Sequence, residues 1–100
     1  MAQIPGWPSG VEVEILRLLV GHGERYGLEL VRKSNGIIKR GTVYVTLGRL
    51  EEKGFVESRQ ETASPNYIGI PRRVYKVTGL GQRVLHAYEV ASTSLALELT

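Results

Sequence analysis

The hydrophobic period of this chain changes once, just after Gly54, and that change limits its fold more than any other feature of the sequence. Before it, apolar side chains recur at helical spacing. Val11, Ile15, Leu18 and Leu19 share one face of a helix over 10–20, and Val43, Leu47 and Leu50 stand at i, i+4 and i+7 of another over 40–53. Between them a shorter helix fits 26–34, with Leu28 and Val31 inward and Arg32 and Lys33 outward. After Gly54 the period falls to two. Residues 55–60 and 72–77 read as strands, the second with Val74 on one face and Tyr75 and Val77 on the other.

The punctuation agrees with this division. Ser9 with Glu12 three residues on is a capping-box arrangement, and Gly21 and Gly23 stop the helix it opens. Asn35-Gly36 is a turn signal, and Gly54 stands at a C-terminal cap position. Residues 61–71 are polar and turn-rich, with Asn66 and Tyr67 at the tip, so the two strands form a hairpin. Thr78 caps a last helix over 79–97.

Helix, helix, helix, hairpin, helix is the winged-helix order, an α+β class that is mostly helical. In it the third helix enters the DNA major groove and the hairpin, or wing, contacts the flanking backbone. The expected organisation is an N-terminal arm over 1–8, a winged-helix DNA-binding domain over 9–78 and a dimerisation helix over 79–100. Leu80, Val84, Tyr88, Ala91 and Leu95 give that helix an apolar stripe. Its first turns can pack on the first helix of the same domain. The part beyond Tyr88 needs another surface, and the same helix of a second copy is the simplest one.

Composition narrows the function. The net charge is +3, but it is unevenly spread: residues 32–76 carry ten Lys and Arg against four Glu, and the remainder three against six. A cationic middle segment attracts a polyanion. There is no cysteine, which excludes disulfides and thiolate chemistry and suits a reducing cytoplasm. No apolar run reaches the roughly 20 residues of a membrane span, and the first ten residues lack the regions of a signal peptide. His22 and His86 stand apart without partners at metal-ligand spacing, and Asp is absent. No convergent acid, base or nucleophile suggests an enzyme, and no cofactor motif is present.

Helix 3 starts against local rules. Lys39 and Arg40 stand where the helix dipole is positive, and neither is a good N-cap. A bound phosphate would compensate both charges. Gly41 follows, and Thr42, Val45 and Arg49 then share the outer face, with Thr46 at its margin. Arg can hold guanine O6 and N7 together, while Thr and Val suit a thymine methyl group. Gly48 lets a backbone come close. The Tyr44 ring can pack on helix 2 while its hydroxyl reaches a phosphate. In the wing, Arg59, Arg72, Arg73 and Lys76 gather on one hairpin. Adjacent Arg72 and Arg73 point to opposite faces, so one is expected to pack its stem on the domain.

Residues 41–58, GTVYVTLGRLEEKGFVES, resemble the recognition-helix motif of the PadR family of winged-helix regulators. Residues 26–30, YGLEL, are similar to that family's HGYEL, and 71–81, PRRVYKVTGLG, to its post-wing motif. Val45 stands where the family often has proline, Lys39-Arg40 replace Ser-Pro, and Tyr26 and Leu28 replace His and Tyr. The resemblance implies a dimeric repressor, in some members released by a small aromatic effector. The expected partners are a roughly palindromic double-stranded operator and a second copy of the chain. The alternative is a winged helix that docks on protein without specific DNA binding, and the basic helix 3 with no acid on its outer face argues against it.

Overall fold

The computed structural model describes residues 6–61 and 72–99. The elements run α1 (Gly10–His22), β1 (Arg25–Tyr26), α2 (Gly27–Lys33), α3 (Val43–Glu52), β2 (Val56–Gln60), β3 (Arg73–Val77) and α4 (Gly79–Leu99). The fold class is the α+β, mostly helical one expected. The wing tip, with Asn66 and Tyr67, lies outside the described residues.

The caps form as their residue types dictate. Ser9 Oγ accepts from the Glu12 N–H at 3.3 Å, and Glu12 Oε1 accepts from the Ser9 N–H at 2.9 Å, which closes the capping box of α1. At the end of α3 the Gly54 N–H donates to the Glu51 carbonyl and the Phe55 N–H to the Leu50 carbonyl. This is a Schellman closure, and it requires the left-handed φ of +81° at Gly54. The Asn35-Gly36 turn has φ of +52° and +90°. Beneath it Ser34 is buried but satisfied, donating to the Val31 carbonyl and accepting from the Ile38 N–H, both at 2.9 Å.

Val43, Leu47 and Leu50 are fully buried, and with Ile15, Leu16, Leu19, Leu30 and Ile38 they form the core. The assignment on α2 is corrected. Leu30, not foreseen there, is fully buried in the core, Val31 packs against the core half-buried as expected, and Leu28 is half-buried without joining it. Three apolar residues in four positions of a seven-residue helix leave its inner face undetermined by period alone.

The hairpin is part of a three-stranded antiparallel sheet in the order β1-β3-β2. The sequence reading missed β1, which has only two residues and no period to show. Residues alternate along β3 as expected: Tyr75 and Val77 join the main core, and Val74 is buried on the opposite face beside Tyr26 and Arg59.

Helix α4 is rooted in the domain and then leaves it. Thr78 Oγ1 accepts from the Gly81 N–H at 3.0 Å and donates to the Gly54 carbonyl at 2.6 Å, which ties the helix start to the end of α3. Leu85 is buried, and Val84 and Tyr88 pack against the core. From Glu89 to Glu98 every side chain is exposed. The molecule is accordingly long, 56 Å against 25 and 22 Å in the other directions.

Candidate nucleic-acid interface

Helix α3 buries one face completely, so its other face is fixed outward. Thr42, Val45 and Arg49, at i, i+3 and i+7, line that outer face, with Gly48 beside Arg49 and open space where a Cβ would stand. Val45, in the first turn of the helix, is 57% exposed, and Tyr44 is 52% exposed. Thr46 is half-buried and donates its hydroxyl to the Thr42 carbonyl at 3.0 Å. Its methyl group is therefore the part of the side chain not engaged with the backbone.

The start of α3 differs from the sequence expectation. The helix begins at Val43, three residues later than supposed, and Lys39, Arg40 and Gly41 form a turn leading into it. The Lys39 carbonyl accepts from the N–H groups of Thr42 and Val43, at 3.2 and 3.0 Å. Thr42 is the N-cap residue but makes no side-chain cap. Both cations are exposed, and among the described residues Lys39, Arg40 and Arg49 form no ion pair.

The four wing cations do not act together. Arg59 and Lys76 share the sheet face opposite α3 and are paired, Arg59 with Glu24 at 2.8 Å and Lys76 with Glu57 at 3.3 Å. Arg73 takes the other face, because alternate residues of a strand point to opposite faces. Arg72 lays its guanidinium over the Tyr26 ring, 5.1 Å from the centroid. Arg73 points to the α3 side and donates to Ser58 Oγ at 3.0 Å.

Between α2, α3 and the wing base runs a groove of about 550 Å³. Tyr26 and the α2 residues Leu28, Glu29 and Arg32 form one wall, Tyr44 the second, and Arg72 and Arg73 the third. Tyr44 reaches it because Gly27 has no side chain: a Cβ there would stand 2.7 Å from Tyr44 Cε1. The ring thus packs on α2 while remaining half exposed. The Tyr26 hydroxyl donates to the Glu61 carboxylate, and that bond, then loss of solvent, raises the phenol above its ordinary value. Sequence reasoning missed Tyr26 and Arg32 as members of this surface. The YGLEL segment was the available signal, but only the fold turns it toward the wing.

The stripe read on α4 is divided by the structure. Val84 and Tyr88 are half-buried within their own domain, and Tyr88 meets the ring of Trp7 at 5.7 Å between centroids. Leu80, Ala91 and Leu95 are exposed. The end of the arm therefore covers part of a surface that was expected to serve a second copy. Among the described residues no helix is long and apolar enough to cross a membrane, and no cluster of three or more His, Cys, Asp and Glu side chains is placed to hold a metal ion.

The comparisons agree with this geometry. Residues 15–87 match the family model described as the transcriptional regulator PadR-like family. A PadR-like transcription factor from Bacteroides fragilis is 25% identical with a TM-score of 0.76, over 89% of this chain and 85% of that one. A PadR family transcriptional regulator from Eggerthella lenta is 28% identical with a TM-score of 0.74, over 89% and 77%. Bacillus subtilis PadR, solved in complex with operator DNA, shares the fold at 23% identity and a TM-score of 0.68, over 81% of this chain and 47% of that one. No curated relative matches at a significant level.

Proposed function

As the chain belongs to the PadR-like family of transcriptional regulators, we propose that it binds duplex DNA through α3 and the wing base, as a homodimer that represses transcription in the cytoplasm. The observation that carries this reading is the outer face of α3. An apolar Val45 stands exposed between Thr42 and Arg49, on a helix whose other side is wholly buried. Such a face suits base edges in a major groove. Lys39 and Arg40 lie in the turn before it, and Tyr44 and Arg73 flank it. These are assigned to the phosphate backbone, with Gly41 allowing close approach. Thr46 is assigned to the margin of the base contacts, and Arg72 to the side of the groove.

The dimer contact is assigned to the protruding half of α4, with Ala91 and Leu95 continuing the line of Leu85 and Tyr88 beyond the domain. A two-fold axis there would present two α3 helices to successive major-groove faces. The operator would then be roughly palindromic. An effector, where one acts, would be a small aromatic molecule.

Titration of a labelled duplex across salt concentrations tests the reading. Binding should weaken steeply with salt through counterion release. Arg40→Ala should weaken binding to every sequence and flatten the salt slope by about one. A chain that leaves duplex DNA unbound at low salt would refute the reading, and an unchanged slope would remove Arg40 from the phosphate contacts.

A further inference from the structure

Arg73 stands at the start of β3 and is held by a relay. Its Nη1 donates to Ser58 Oγ on β2 at 3.0 Å. The Ser58 hydroxyl in turn lies 2.6 and 2.8 Å from the two carboxylate oxygens of Glu51, to which it donates. A hydroxyl accepts and donates at once, so guanidinium, hydroxyl and carboxylate connect the wing to α3. The register explains why they meet. Ser58 pairs with Tyr75 and Gln60 with Arg73, which puts Arg73 and Ser58 on the sheet face that carries Tyr75 into the core.

Resting on the DNA-binding reading above, we infer that Glu51 and Ser58 are positioning residues that aim Arg73 at the phosphate backbone and touch no DNA themselves. A free arginine side chain loses rotamer freedom when it grips a phosphate, and one already held loses less. Glu51 otherwise has no reason to help. It is an exposed acid on the helix assigned to a polyanion, and taken alone it repels the ligand. As the anchor of the relay it strengthens the contact instead. The two roles make predictions of opposite sign.

The test uses the full chain and a fluorescein-labelled duplex of random sequence, because phosphate contacts carry no sequence information. Ser58→Ala alters no charge. It should weaken binding by about tenfold, the effect of one charged hydrogen bond, and lower the salt slope toward that of Arg73→Ala. Added to Arg73→Ala, it should cost nothing more. Ser58→Thr keeps the hydroxyl and should restore binding. Glu51→Gln should weaken binding in the wild-type background and tighten it in the Arg73→Ala background, where only repulsion is left to remove. Thermal unfolding, followed in parallel, separates loss of fold from loss of aim. Should Ser58→Ala unfold, the reversal of sign at Glu51 carries the test alone.

The inference is overturned if Ser58→Ala binds as wild type at every salt concentration, or if it loses the same factor with and without Arg73. It is also overturned if Glu51→Gln tightens binding in both backgrounds. Arg73→Ala without effect overturns it while leaving DNA binding by α3 intact. A wild-type chain that binds no duplex at all removes the underlying reading as well.

Discussion

Lys53 Nζ lies 3.0 Å from both carboxylate oxygens of Glu12, and this pair ties the first turn of α1 to the end of α3. The Glu12 side chain is only 6% exposed and also closes its helix cap by accepting from the Ser9 N–H. One carboxylate thus fixes the angle between the scaffold and the helix assigned to DNA. Lys53→Ala would leave that carboxylate buried with the cap as its only partner among the described residues. Breaking a fully buried pair costs about 3–5 kcal/mol. Lys53 is part-exposed, so the expected loss is smaller, about 2 kcal/mol. Urea unfolding measures it, and a loss below about 0.5 kcal/mol would mean the pair behaves as an ordinary surface contact.

Two glycines should respond unequally to the same added methyl group. At Gly81 a Cβ would stand 2.1 Å from the Phe55 carbonyl oxygen, a backbone atom that cannot step aside. Gly81→Ala should destabilise the fold by about 3 kcal/mol or more. At Gly27 the clash is with the Tyr44 ring, the far end of a half-exposed side chain. Gly27→Ala should leave stability within about 1 kcal/mol of wild type while displacing the ring and weakening DNA binding. Paired measurement of melting and binding checks both. Equal stability losses at the two sites would show that Tyr44 is as immobile as the backbone.

The contrast also shows what the sequence could tell. Val43, Leu47 and Leu50 were legible because a ten-residue helix repeats its period often enough to fix its inner face. Ser9 with Glu12, Gly54 and Thr78 were legible because local hydrogen bonding requires those residue types. The burial of Glu12 was not, since its partner is 41 residues away and a lone glutamate reads as solvated surface. Nor were the allegiances of the wing cations. Which face Arg59 or Arg73 takes follows from strand register, and which face matters follows from where α3 packs. The α4 stripe was visible as a pattern, but only the fold shows that Trp7 covers Tyr88.

The phenols should leave a mark on alkaline stability. The hydrogen bond to Glu61 raises Tyr26 above its ordinary 10.0, and burial raises Tyr75. The folded state therefore holds these protons more tightly than the unfolded chain. Their contribution is fully present below about pH 10 and is lost as pH rises through the folded values. Tyr26→Phe removes one share of it. The stability gap between wild type and Tyr26→Phe should hold constant at neutral pH and narrow above about pH 10. A gap independent of pH would show that Tyr26 has no stronger hold on its proton when folded.

The protruding half of α4 should govern association. Ala91→Glu with Leu95→Glu places two charges on its exposed surface and leaves the Trp7–Tyr88 contact alone. The expected product is folded, monomeric and much weaker on DNA. Sedimentation equilibrium with circular dichroism reports state and fold together. Wild-type chain that is monomeric at tens of micromolar, or a double mutant that stays dimeric, would contradict the assignment.

Selection of bound sites from a random duplex pool, run with wild type and Arg49→Ala side by side, tests the central claim most directly. The account predicts that wild type enriches a roughly palindromic site with half-sites about one helical turn apart, or a multiple of that. It further predicts that Arg49→Ala loses preference at one symmetric position in each half-site, worth about 1–3 kcal/mol, while the rest of the motif remains. A pool that emerges unenriched with the wild-type chain would contradict the assignment of α3 to base recognition.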